Sequence, residues 1–236
     1  MRRFTMVSGV LLIALSMACV WPDVPWREMR QLYAEAARDA ARAEPTEVVT
    51  DLPVLEPGSE DFVWEGPGER ILGTVWIERA GRFEGEHTVP LEDDLWIVPA
   101  PRLRDFCREI DTGTTELRLR LEQLLGLPPQ AGRGRKMVQV WVDPVDVFRP
   151  CPDPEVTDDH CDVHAPVGAD HQAWFSEQEA RGRTPDGRLW TRLGYTYDWG
   201  DPYTEVGLAE LVVPAGTVVG VERVVETGRF CATSPP

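Results

Sequence analysis

The chain has 236 residues, with 24 Lys+Arg against 40 Asp+Glu and a net charge of −16. A surface of that sign repels polyanions, which excludes nucleic acid as a partner, because such binding relies on clustered cations that release counterions. The 42% hydrophobic and 27% charged residues are those of a globular protein, long enough for one large domain or two small ones with a real core.

Residues 1–18 read as a secretory signal: Arg2 and Arg3, an apolar run from Met6, then small residues at Ser16 and Ala18. The run is too short for a comfortable transmembrane helix. The ending Leu15-Ser-Met-Ala-Cys19 resembles a bacterial lipoprotein box. That resemblance implies lipidation of Cys19, a membrane partner reached through the lipid anchor, and a place in the cell envelope at the outer membrane or periplasmic face. Plain cleavage after Ala18 is the alternative, and both readings export the chain. Loss of Arg2 and Arg3 with the leader takes the charge to −18.

The remaining cysteines are Cys107, Cys151, Cys161 and Cys231. An even number in an exported chain predicts disulfides, here Cys151–Cys161 across a Pro-rich loop and Cys107–Cys231. A zinc site is the rival use of the thiols, but no Cys-x-x-Cys spacing occurs.

After the anchor, residues 26–43 are rich in helix formers, with Trp26, Met29, Tyr33, Ala36, Ala37 and Ala40 on one face. This predicts a stalk, or a helix lying against the domain. Prolines and acids over residues 44–68 predict a loose linker, so that the globular domain spans 69–236. Within it, 71–78 and 95–98 read as strands and 101–110 as a short helix with Leu103, Phe106, Cys107 and Ile110 on one face. A second helix starts at Thr114 or Thr115, buries Leu117, Leu121, Leu124 and Leu125, and stops at Gly126 before Pro128-Pro129. Residues 137–142 alternate as a half-buried strand, 143–168 are irregular, and 169–180 form a helix. Residues 208–213 and 218–225 predict a hairpin about the turn Pro214-Ala-Gly-Thr217. The order of elements predicts an α+β fold: a mixed or antiparallel sheet with a few helices, stabilised by disulfides.

The Gly-x-Ser-x-Gly elbow, the His-Glu-x-x-His pair and the Gly-Lys-Ser/Thr phosphate loop are all absent. Lys136, the only lysine, sits beside Arg133 and Arg135 in what reads as a solvated basic turn. The densest set of potential ligands runs from Asp158 to His164. Asp159, His160 and His164 have donor types that suit a transition metal, whereas Asp153, Glu155, Asp158 and Asp159 offer oxygens for calcium. An acidic surface loop accounts for the same residues.

The stretch from Trp190 to Gly200 is dense in aromatic residues. Trp190, Tyr195, Tyr197 and Trp199 suit either the walls of a ligand pocket, with Arg192 and Asp198 as its polar groups, or a core strand. Together with Phe148-Arg-Pro-Cys-Pro-Asp153, this stretch resembles a family of uncharacterised exported bacterial proteins. The resemblance covers the C-terminal half and implies no activity.

The run Glu210-Leu-Val-Val-Pro-Ala-Gly-Thr-Val-Val219 resembles the third motif of ADP-ribosyltransferases. The resemblance implies NAD as cofactor, bound with help from Trp190 and Tyr197. It gives Glu210 the role of stabilising an oxocarbenium-like ribose, Arg149 that of the family's first arginine, and Tyr195 a place in the site. Leu208 stands where arginine-directed members carry Glu or Gln, and Tyr195-Thr-Tyr197 is the nearest match to their Ser-Thr-Ser stretch. The leading expectation is an exported, lipid-anchored domain that binds a ligand or partner in the envelope without a cofactor. An NAD-consuming enzyme using Glu210 is the alternative.

Overall fold

In a computed structural model, the described residues are 26–66, 68–110, 114–164, 168–181 and 187–232. The leader and Cys19 lie outside them. The elements in chain order are α1 (Trp26–Asp39), β1 (Trp64–Glu65), β2 (Arg70–Ile77), β3 (Thr88–Pro90), β4 (Leu95–Pro99), α2 (Ala100–Glu109), α3 (Thr114–Leu124), β5 (Lys136–Val142), α4 (Ala169–Arg181), β6 (Tyr195–Tyr197), β7 (Val206–Ala209), β8 (Leu211–Val213), β9 (Val218–Glu226) and α5 (Thr227–Ala232). The fold is α+β. A sheet runs in the order β3-β9-β5-β2-β4-β8, with β1 added to β2, and β6 pairs with β7 beside it. Every strand pair among the described residues is antiparallel.

Period-two alternation assigns the two faces of the sheet. Val138, Val140 and Val142 of β5 join Ile71, Ile97 and Val219 in one core, closed by Leu55, Phe62 and Phe83. Met137 faces the other way with Trp76 and Val98, under α2, α3 and α5. Strand β5 is therefore covered on both faces rather than half-buried, because its neighbours β2 and β9 flank it and helices close the face that would meet water. The leucine stripe of α3 forms as its spacing requires. Leu117, Leu121, Leu124 and Leu125 are buried, each contributing about 2–3 kcal/mol of apolar burial. Gly126 then turns left-handed at φ 65°, a backbone shape that glycine adopts without steric cost.

Both predicted disulfides are present, Cys107–Cys231 joining α2 to α5 and Cys151–Cys161 closing the irregular loop. Among the described residues, no helix is long and apolar enough to cross a membrane.

Three expectations change. Of the two readings of α1, the stalk falls and the helix lying against the domain holds: Tyr33 and Ala36 are buried against Leu189 and Trp199, and the Tyr33 hydroxyl donates to Gly187 O at 2.5 Å. The boundary expected at residue 69 falls inside the fold. Leu52 N donates to Asp159 O at 2.9 Å and Leu55 N to Val156 O at 2.7 Å, and Leu52, Leu55 and Phe62 are core residues. The prolines keep this segment out of a ladder, while its apolar side chains pull it onto the body.

The expected hairpin is the third. Strand β8 pairs with β4, and β9 pairs with β5 and β3, so three strands separate them. The turn between them is held by the β3–β4 connection instead. Gly216 N donates to Leu91 O and Leu91 N to Thr217 O, both at 2.8 Å, and Ala215 N donates to Asp94 Oδ1 at 2.9 Å. These bonds carry the chain across the end of the sheet.

Candidate functional site

Glu210 occupies the single residue between β7 and β8. Its backbone N–H donates to Gly194 O at 2.8 Å, which draws the Glu210 and Tyr195 backbones together, as does the Tyr195–Ala209 register of β6 and β7. Arg149 approaches the same point, with its Cδ 3.5 Å from where a side chain on Gly194 would begin. Of the three residues given catalytic roles by the transferase resemblance, Glu210 and Tyr195 are thus neighbours in backbone, and the Arg149 side chain passes beside Gly194.

Their side chains diverge. The Glu210 carboxylate, 1% exposed, accepts from Arg188 Nη1 at 2.6 Å, and the Arg188 guanidinium lies over the Trp96 ring at 5.4 Å. Arg149, 2% exposed, reaches away into the disulfide loop. It donates to Asp158 Oδ1 at 2.6 Å, to the carbonyls of His160 at 3.1 Å and Asp158 at 2.5 Å, and to Pro53 O at 2.8 Å. The Tyr195 hydroxyl donates to Glu47 O at 2.9 Å. Burial pushes this hydroxyl well above its ordinary range, with the charges of Glu205, Glu47 and Asp39 adding to the shift.

The aromatic stretch follows the core reading. Trp190, Tyr195 and Trp199 are buried, and their polar atoms are bonded internally. Trp190 Nε1 donates to Pro150 O at 2.7 Å and Trp199 Nε1 to Leu127 O at 2.9 Å. Tyr197 donates to Asp39 Oδ2 at 2.7 Å. The polar residues considered for pocket walls are bonded as well. Asp198 accepts from both terminal nitrogens of Arg120, at 2.8 and 2.6 Å, and Arg192 donates to Ala40 O at 2.6 Å, at the end of α1.

Two small cavities lie near these groups. One of about 20 Å³ is bounded by Thr74, Trp76, Trp96 and Arg188 among others. The other, about 10 Å³, lies between Tyr195, Tyr197, Glu47 and Glu205. Each has room for about one water, far below the size of a dinucleotide.

Among the ligand candidates, Asp159 Oδ1 lies 3.0 Å from His160 Nδ1, but exposed His164 joins no metal-sized group with them. The grouping that does form is Asp153, Glu155 and Asp158, with one oxygen of each within 4.8 Å of the others. These oxygens match calcium in type, but calcium takes six to eight, and Asp158 is already engaged by Arg149. Burial and the charge of Asp158 push the Asp153 carboxyl up. Burial also raises the Asp158 carboxyl, but hydrogen bonds from Arg149 and His160 N–H outweigh it and hold this group below its ordinary value. The basic turn is partly structural too, since Arg135 is buried and donates to the carbonyls of Ala131 and Trp76, both at 2.7 Å.

Sequence reasoning missed Arg188 as the partner of Glu210, and nothing local marks it. It missed Glu122 as well, a buried carboxylate that accepts from the N–H groups of Gln130 at 2.9 Å and Gly132 at 2.8 Å and so closes the turn after α3. Burial raises the Glu122 carboxyl despite these bonds. A Glu on the polar side of the leucine stripe, shortly before a Gly-rich turn, was the available signal. Compared with protein-family models, curated proteins and solved structures, the chain matches none.

Proposed function

We propose that the protein is an exported, lipid-anchored domain of the cell envelope that binds a partner through its surface and carries out no chemistry of its own. The observation that carries this reading is the engagement of Glu210 by Arg188 in the interior. A carboxylate so placed cannot approach a ribose unless the ion pair opens. Arg149 and Tyr195 support the reading in the same way, since each is bonded to parts of the scaffold. The cysteine pairing suits an oxidising compartment, and the leader with Cys19 supplies the anchor.

Two measurements test it. Growth with labelled palmitate labels the protein, and Cys19→Ser removes the label and frees the chain from the membrane fraction; an unlabelled, membrane-free wild type refutes the anchor. Incubation of the purified protein with NAD releases no nicotinamide. Release that disappears in Glu210→Gln would replace the binding module with an NAD-consuming enzyme.

A further inference from the structure

The helix-covered face of the sheet holds a pair of cations that the envelope-binding role leaves unused. Arg104 lies on α2 and Arg223 on β9, where Arg223 is the register partner of Gln139 on β5. Thr74 orients the Gln139 amide by accepting from its Nε2 at 3.1 Å. That leaves Gln139 Oε1 to accept from Arg223 Nε at 2.5 Å and, more weakly, from Arg104 Nη2 at 3.4 Å. Both guanidiniums lie over the buried Phe230 ring, at 5.4 Å for Arg104 and 5.9 Å for Arg223.

Neither arginine has a carboxylate partner among the described residues. Their neighbours on α2 differ in this respect, since Arg102 pairs with Asp61 and Arg108 with Asp105. The Nε of Arg104 is shut off from solvent without a hydrogen-bond acceptor. Arg223 is held below its ordinary range by burial, with no acidic charge opposing the shift. Both side chains are half-buried. In a chain with 40 acids and 24 bases, two guanidiniums directed at one neutral oxygen is an unusual arrangement. Like charges repel, and withdrawal from water raises the cost of each until a counter-charge arrives. The guanidinium fork matches an oxyanion bidentately, and two forks side by side match one with three or more oxygens.

We propose that Arg104 and Arg223, spaced by Gln139, form a binding site for an oxyanion: a phosphate, sulfate or carboxylate group. Thr74 and Gln139 set the spacing, and the Phe230 ring holds both guanidinium planes in place. This site goes beyond the function proposed above and depends neither on export nor on the lipid anchor.

The test follows the arginine Nε–H signals of the isotope-labelled protein by NMR. Inorganic phosphate is added in one arm and succinate in another, each at constant ionic strength balanced with chloride. The expected result is saturable movement of the Arg104 and Arg223 signals together, and the arm with the tighter binding identifies the preferred anion. Arg104→Gln and Arg223→Gln each weaken binding by at least about tenfold, whereas Arg108→Gln leaves it unchanged. Should a Gln variant not fold, Arg104→Lys and Arg223→Lys keep the charge and lose the fork, and weaker binding is again expected. Absence of saturation in both arms overturns the site, as does binding unchanged in the Lys variants or retained in the double Gln variant.

Discussion

The Arg188 guanidinium donates to Glu210 Oε1 at 2.6 Å in the interior, across 22 residues of sequence. This ion pair joins the residue just before Leu189-Trp190 to the junction of β7 and β8. Removing the acid takes the Glu210 charge away from a buried cation. Glu210→Gln is expected to destabilise the fold by about 3–5 kcal/mol, whereas the double change Arg188→Met/Glu210→Leu recovers most of that loss. Urea unfolding of the three proteins checks both, and a Glu210→Gln effect below about 1 kcal/mol contradicts the structural role.

Arg149 gathers the strap at residues 52–55 and the loop at 151–161 into one unit through four bonds to Asp158, His160 and Pro53. Arg149→Ala strands several carbonyls and an acid, at a cost of about 3–5 kcal/mol. Hydrogen exchange localises the damage. The Leu52 and Leu55 amides, bonded to Asp159 O and Val156 O, lose protection first, while Val138 and Val140 of β5 keep theirs. Uniform loss across the chain would show that Arg149 is not local glue.

The two disulfides close loops of very different length, with separations of 124 and 10 residues. By loop-closure entropy, Cys107→Ser/Cys231→Ser costs about 5 kcal/mol and Cys151→Ser/Cys161→Ser about 3 kcal/mol. Because Arg149 ties the short loop as well, Arg149→Ala and loss of Cys151–Cys161 are expected to be non-additive, with a coupling above about 0.5 kcal/mol in a double-mutant cycle. Strict additivity would separate the two devices.

His160 titrates above its ordinary value, first because its ring is hydrogen-bonded to Asp159 and then because Asp158 lies near. A histidine whose folded value is raised stabilises the fold fully below its unfolded value of about 6.5, and the contribution fades as pH rises through the folded value. NMR titration of the imidazole checks the direction, and Asp159→Asn moves the midpoint down. A midpoint indifferent to that substitution would rule out the Asp159 hydrogen bond as the cause of the shift.

The features legible in the residues were those set by near neighbours. The α3 stripe from Leu117 to Leu125, its stop at Gly126 and the burying face of α1 follow from helical spacing and capping, which act over about four residues. The cysteine pairing was legible because four cysteines allow only three pairings and Cys151 and Cys161 lie close together in a Pro-rich loop. The segment at residues 44–68 reads as a linker only when its prolines are weighted over Leu52, Leu55 and Phe62, which reach the core.

By itself, the sequence determined the α+β class, helices α1 to α4 and the acidic character, because periodicity, turn chemistry and charge are written into consecutive residues; α5 went unread. Only the tertiary structure decided that β9 leaves β8 for β5 and β3, and that the Tyr195 and Glu210 backbones meet beside the Arg149 side chain while the polar ends of all three part. It alone also brought Arg104 and Arg223 to one amide oxygen. Strand partners and ion pairs form between residues far apart in the chain. Their choice depends on which surfaces the whole fold buries together, a quantity that no local window of residues contains.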